Sequence, residues 1–124
     1  MTKKLFLLAM AAAAMAFGHH GYGEYDRNAP VSLEGTVQHV MWGNPHVIIE
    51  LATGSQGTYT VEWRDIWQLS RSGVSANPFK EGDRVIVTGC VNKNPEKHIL
   101  TLVRAMSRPA DGWGWTDPRY TSSK

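Results

Sequence analysis

The stretch Val31-Ser-Leu-Glu-Gly-Thr-Val-Gln-His-Val-Met-Trp-Gly-Asn-Pro-His-Val-Ile-Ile-Glu-Leu51 decides the fold class. It holds two runs with apolar residues at alternate positions, broken by Gly43, Asn44 and Pro45. Successive side chains of a strand point to opposite faces, so this alternation reads as two half-buried β-strands. The first run, Val31 to Met41, sets Leu33, Gly35, Val37 and Met41 on one face and Ser32, Glu34, Thr36 and Gln38 on the other. His39 falls in phase with the apolar set and reads as a core-edge histidine, unless Gly35 marks a bulge that shifts the register. The second run, His46 to Ala52, alternates Val47, Ile49 and Leu51 against His46, Ile48 and Glu50. Pro45 holds Asn44 in extended geometry, which makes Trp42-Gly-Asn-Pro-His46 a turn. A turn needs no histidine, so His46 asks for a reason.

Downstream, Thr53-Gly-Ser-Gln-Gly57 is a hairpin turn into a third strand, Thr58 to Trp63, with Tyr59, Val61 and Trp63 on one side. Asp65 caps a short helix that runs to Arg71, carries Ile66, Trp67 and Leu69, and stops at Gly73. Two further strands follow, Arg84 to Val91 and His98 to Met106, around the polar turn Asn92 to Lys97. Three strands, a short helix and two more strands is the element order of a five-stranded OB-like barrel, mainly β, whose closure removes exposed edges. Another small β-barrel or an open β-sandwich shares that order, because periodicity does not fix which strands pair. The barrel is expected over residues 31–107, with an irregular N-terminal arm at 19–30. An irregular tail over 108–124 packs Trp113 and Trp115 on the body.

The first 18 residues stand apart from this domain. Met1-Thr-Lys-Lys4 is basic, Leu5 to Phe17 is apolar, and small residues then offer cleavage sites, the pattern of a secretory signal peptide. The apolar run ends at Gly18, short of the about 20 residues that a membrane-crossing helix needs. The mature protein is therefore expected to be periplasmic or secreted, meeting the membrane only during export. Lys3 and Lys4 leave with the leader, and the remaining basic residues balance the 11 acids. A neutral chain has no dense basic face, which argues against nucleic acid as a partner. With 124 residues the chain holds one domain, and its single cysteine, Cys90, allows no internal disulfide. Cys90 sits in an apolar strand pattern and reads as a small buried hydrophobe.

Several motifs carry a resemblance. They are His19-His20-Gly21-Tyr22, Glu24-Tyr25-Asp26, Leu33-Glu34-Gly35-Thr36-Val37, Trp42-Gly43-Asn44-Pro45-His46, Gly82-Asp83-Arg84-Val85 and Val87-Thr88-Gly89. In these the chain resembles a family of small exported bacterial proteins of unknown function, over roughly residues 19–106. The resemblance implies an exported single β-barrel domain and supplies no activity.

The candidate chemistry lies in the histidines. Cleavage after Ala16 gives a Phe17-Gly18-His19 terminus, whose amine, amides and third-position imidazole form a square-planar Cu(II) or Ni(II) site. Cleavage after Gly18 leaves His19 first, able to chelate with its amine and ring while another imidazole completes a T-shaped copper site. Tetragonal nitrogen ligation suits copper above zinc. The metal candidates are thus His19, His20 and His46, against the plainer readings of a solvated arm and a loop clamp in which the His46 ring bonds a carbonyl and Asn44 closes an Asx turn. In an OB-like barrel the ligand rim is formed by the loops joining strands 1–2 and 4–5. That makes Trp42, Asn44 and His98 candidate ligand-binding residues, with Trp113 and Trp115 as packing lid or stacking faces for a small molecule, a glycan or another exported protein. Glu62 and Asp65 read as a solvated strand end. There is no nucleophile elbow, no His-Glu-x-x-His and no phosphate loop, so no enzyme is expected.

Overall fold

β1 (Val31–Met41) serves two neighbours in turn in the computed structural model, which describes residues 22–121. Its first half pairs antiparallel with β4 (Arg84–Val91), and its second half with β2 (Ile48–Ala52). Thr36 is the hand-over point, opposite Arg84 on one side and Ala52 on the other. β2 turns back into β3 (Thr58–Glu62), and β4 into β5 (Ile99–Arg108). A parallel contact between β3 and β5, Thr60 opposite Ile99 and Val61 opposite Leu100, then closes the ring. The fold is a mainly β, closed five-stranded barrel of OB-like form, with one extra strand, β6 (Trp113–Thr116), on β5. Closure decides against an open sandwich.

The alternation in the sequence becomes the core. Val37, Ile49, Leu51, Val61, Val85, Val87, Leu100 and Val103 are buried inside the barrel, each contributing about 1.5–3 kcal/mol relative to exposure. α1 (Ile66–Arg71) crosses between β3 and β4 and buries Leu69. Asp65 caps it as expected, its carboxylate accepting from Gln68 N at 2.7 Å. The chain leaves the helix through Gly73 at φ 98°, a conformation that favours glycine.

Four expectations need correction. The extra residue in β1 lies at Gln38, not Gly35, since the register on β2 slips between Val37 and His39. The slip turns His39 outward and leaves Met41 57% exposed, so neither faces the core. Gly35 serves a different need, because a Cβ there would lie 2.5 Å from the Ala52 carbonyl oxygen. β2 begins at Ile48 and not at His46, although Val47 still exchanges main-chain bonds with Trp63 and Arg64.

The region after Met106 is the fourth correction. β5 continues to Arg108, a turn reverses the chain, and Trp113–Thr116 pairs back on Ala105–Arg108 before α2 (Pro118–Thr121). The Arg108 guanidinium makes this turn by donating from Nε and Nη2 to both oxygens of Asp111 at 3.0 Å. Gly112, at φ 76°, donates to the Arg108 carbonyl at 3.0 Å. The fork holds the Asp111 carboxyl below its ordinary value.

The described part of the N-terminal arm, from Tyr22 onward, is fastened to the barrel. After a 3-10 turn at Tyr22–Glu24, the buried Tyr25 bridges to Asn92, and Lys93 N donates to the Glu24 carbonyl at 2.8 Å. Burial raises the Tyr25 phenol above its ordinary 10.0, the bond with Asn92 acting in the opposite direction. The folded state therefore holds this proton more tightly than the unfolded chain. Its contribution to stability is complete below the unfolded pKa and is lost as pH rises towards the folded one. Tyr25→Phe, which cannot ionise, should make the fall of stability above about pH 10 shallower in denaturant titrations. Equal alkaline slopes would count against that assignment.

Candidate functional site

The Trp42–His46 loop enters β2 beside the end of β3, and its two polar residues are used differently. Asn44, which precedes a cis proline, accepts from Ile66 N at 3.1 Å through Oδ1. It thus ties the loop to the first turn of α1 and does not close a turn of its own, a correction to the Asx reading. His46 Nδ1 lies 3.1 Å from the Trp63 carbonyl oxygen. A carbonyl only accepts, so Nδ1 donates here, and in the neutral form of the ring Nε2 keeps a lone pair. The ring is itself exposed. An imidazole oriented by a carbonyl at one nitrogen and free at the other suits both a loop clamp and a metal ligand.

His46 lines a cavity of about 200 Å³ together with Glu62, Asp65 and Tyr22. Two of these are the carboxylates read from sequence as a solvated strand end. Tyr22, which the sequence shows only as the end of the His-His-Gly-Tyr motif, is the first described residue. Leu102 forms part of the same wall at φ 50°, in the left-handed region. Backbone held in this region costs about 1–3 kcal/mol and clusters at functional sites. Among the described residues no group of three or more His, Cys, Asp or Glu is arranged to hold a metal. His19 and His20 lie outside the described residues.

The other candidates are distributed. His98 stacks on Tyr59 with ring centroids 4.8 Å apart and lines a separate cavity of about 80 Å³ with Asn94, at the opposite end of β3 from His46. Trp42 is half-buried, edge-on to Trp63. Trp113 packs edge-on to Phe79 with the Arg108 guanidinium over its ring. Trp115 is buried against Trp63 and donates from Nε1 to Ser72 Oγ at 2.9 Å. Trp115 also lines a groove of about 520 Å³, beside Trp67 and Arg71 on α1. Cys90 is buried and free.

Comparison with protein families gives a match. The model of a family of unknown function, DUF6152, covers residues 7–101. The chain belongs to that family. For DUF6152 this protein supplies a closed barrel, and the matched span takes in the His46 loop, α1 and the strands up to the start of β5. β6 and α2, which complete the broad groove, lie beyond it. Comparison with curated proteins finds no match.

Proposed function

We propose that the protein is an exported binding or accessory protein that holds a copper ion between its post-leader histidines and His46. The observation that carries this reading is the sharing of one cavity by His46 and Tyr22. His20 precedes Tyr22 by two residues, and a chain spans at most about 3.6 Å per residue, so His19 and His20 are tethered within reach of that cavity. Nε2 of His46 is free to ligate, Nδ1 being fixed by the Trp63 carbonyl. Imidazoles and a terminal amine make a nitrogen-rich set that suits Cu(II), and the cavity wall carries Glu62 and Asp65 against one cation, Arg64, which is paired with Asp117. With cleavage after Gly18 neither half suffices alone, and the arm supplies ligands that the barrel lacks among the described residues.

The test combines N-terminal sequencing of the purified exported protein with metal analysis. One copper per chain is expected, with uptake lost in the His19→Ala, His20→Ala double variant. His46→Ala should weaken copper binding by about tenfold or more. Unchanged affinity in His46→Ala would confine the metal to the arm and overturn the composite site. Copper and zinc uptake no higher than background would end the metal reading and leave a metal-free module that binds a small molecule, glycan or partner protein.

A further inference from the structure

The groove beside α1 has its own chemistry. Its volume of about 520 Å³ falls in the range of about 300–1,000 Å³ typical of small-ligand sites. Three guanidiniums line it, from Arg64, Arg71 and Arg119, against one carboxylate, Asp117. Asp117 is buried and accepts from Arg64 Nη2, and from Arg119 Nη2 at 2.9 Å and Nε at 3.2 Å. One carboxylate cannot neutralise two guanidiniums, so positive charge remains there. Arg71 adds more, since it has no carboxylate partner among the described residues.

The aromatic wall is equally specific. Trp67 is 65% exposed, with the Arg71 guanidinium 4.6 Å from its ring centroid one helical turn on. α1 already buries Leu69 in the core, so packing of the helix does not require an indole at Trp67. Trp115 presents a second indole to the same space, fixed by its bond to Ser72. Excess cationic charge beside two indoles matches a ligand that is flat and apolar at one end and anionic at the other.

We infer that this groove binds a small aromatic anion, an aryl carboxylate or aryl phosphate, with its ring against Trp67 and Trp115 and its charge on Arg71. A guanidinium fork pairs two oxygens of either anion, and the indoles account for the ring. Arg64 and Gln68 line both spaces, but Trp67, Arg71 and Arg119 line only this groove, so the inference does not rest on copper.

The experiment titrates the mature protein with 2-naphthoate, 2-naphthyl phosphate, the neutral 2-naphthalenemethanol and acetate, following the tryptophan indole N–H resonances by NMR. At least one aryl anion should give saturable shifts at Trp67 and Trp115, with the neutral ring and bare acetate each weaker by about tenfold or more. The tighter of the two anions identifies the head group. Arg71→Gln and Trp67→Ala alter exposed side chains, and each should lower affinity by about tenfold with the fold retained. The proposal fails if neither anion gives saturable shifts, if the neutral alcohol binds as tightly, or if Arg71→Gln changes nothing. An Asp- and Glu-rich peptide that binds when neither aryl anion does overturns it in favour of a protein partner.

Discussion

Replacing Trp63 by alanine should destabilise the domain by about 3–5 kcal/mol, a large part of the about 5–15 kcal/mol of a typical fold. Trp63 is 2% exposed at the end of β3, where three aromatic rings converge on it. Trp115 and Trp42 meet it edge-on at 5.2 and 6.4 Å, and Phe79 lies tilted at 5.9 Å. Removing the indole strips contacts from the loop before β2, the approach to β4 and β6 together. No single neighbour can fill the space. Trp63→Phe should cost less by about 2 kcal/mol or more, for a reason beyond volume: the buried Trp63 Nε1–H has no partner among the described residues, and phenylalanine removes it. Equilibrium urea unfolding of both variants reads the difference. A loss within about 1 kcal/mol for Trp63→Ala would mean that the aromatic cluster is not a keystone of the fold.

The second large effect is expected from a single added carbon. Gly35→Ala should cost about 3 kcal/mol, the upper part of the range for overpacked cores. The new Cβ would meet the Ala52 carbonyl oxygen at 2.5 Å and Leu51 Cγ at 2.9 Å. Backbone cannot step aside as a flexible side chain can, so β1 would have to part from β2 beside the hand-over at Thr36. Gly43→Ala is the matched control, since nothing lies within 4 Å of a Cβ there, and it should be close to neutral. Similar melting curves for the two alanine variants would refute the close-approach argument.

Much of this architecture was legible in the sequence, and the parts that were not share a cause. Period-two alternation marked the first three strands, apolar runs between turns marked the next two, and Asp65 and Gly73 marked the helix, because strand faces and helix caps are local chemistry. The bulge at Gln38 was not legible, since alternation continues in print whether or not the backbone inserts a residue. Trp113-Gly-Trp-Thr116 is too short and too glycine-broken to read as a strand, and it becomes one only because Arg108 and Asp111 fold it back on β5. The same limit holds at the sites. His46 stood out by type, but its link to Tyr22 is made by the barrel. Asn44 serves a helix twenty-two residues away. Trp67 and Arg71 stood on the expected helix, but their stacking and their meeting with Arg64, Asp117 and Arg119 exist only in space.

The contact between β3 and β5 has a further consequence, for the order of events in folding. Val31 meets Gly89, and Thr60 meets Ile99, so the barrel's seams join segments far apart along the chain. Such non-local topologies fold in roughly milliseconds to seconds, because loop-closure entropy is lost before most contacts form. The β1–β2–β3 meander cannot complete a core without β4 and β5, whose residues line the same interior. No fragment ending before β5 is a smaller version of this protein. A chain threaded from its N-terminus can close only when its last strands arrive.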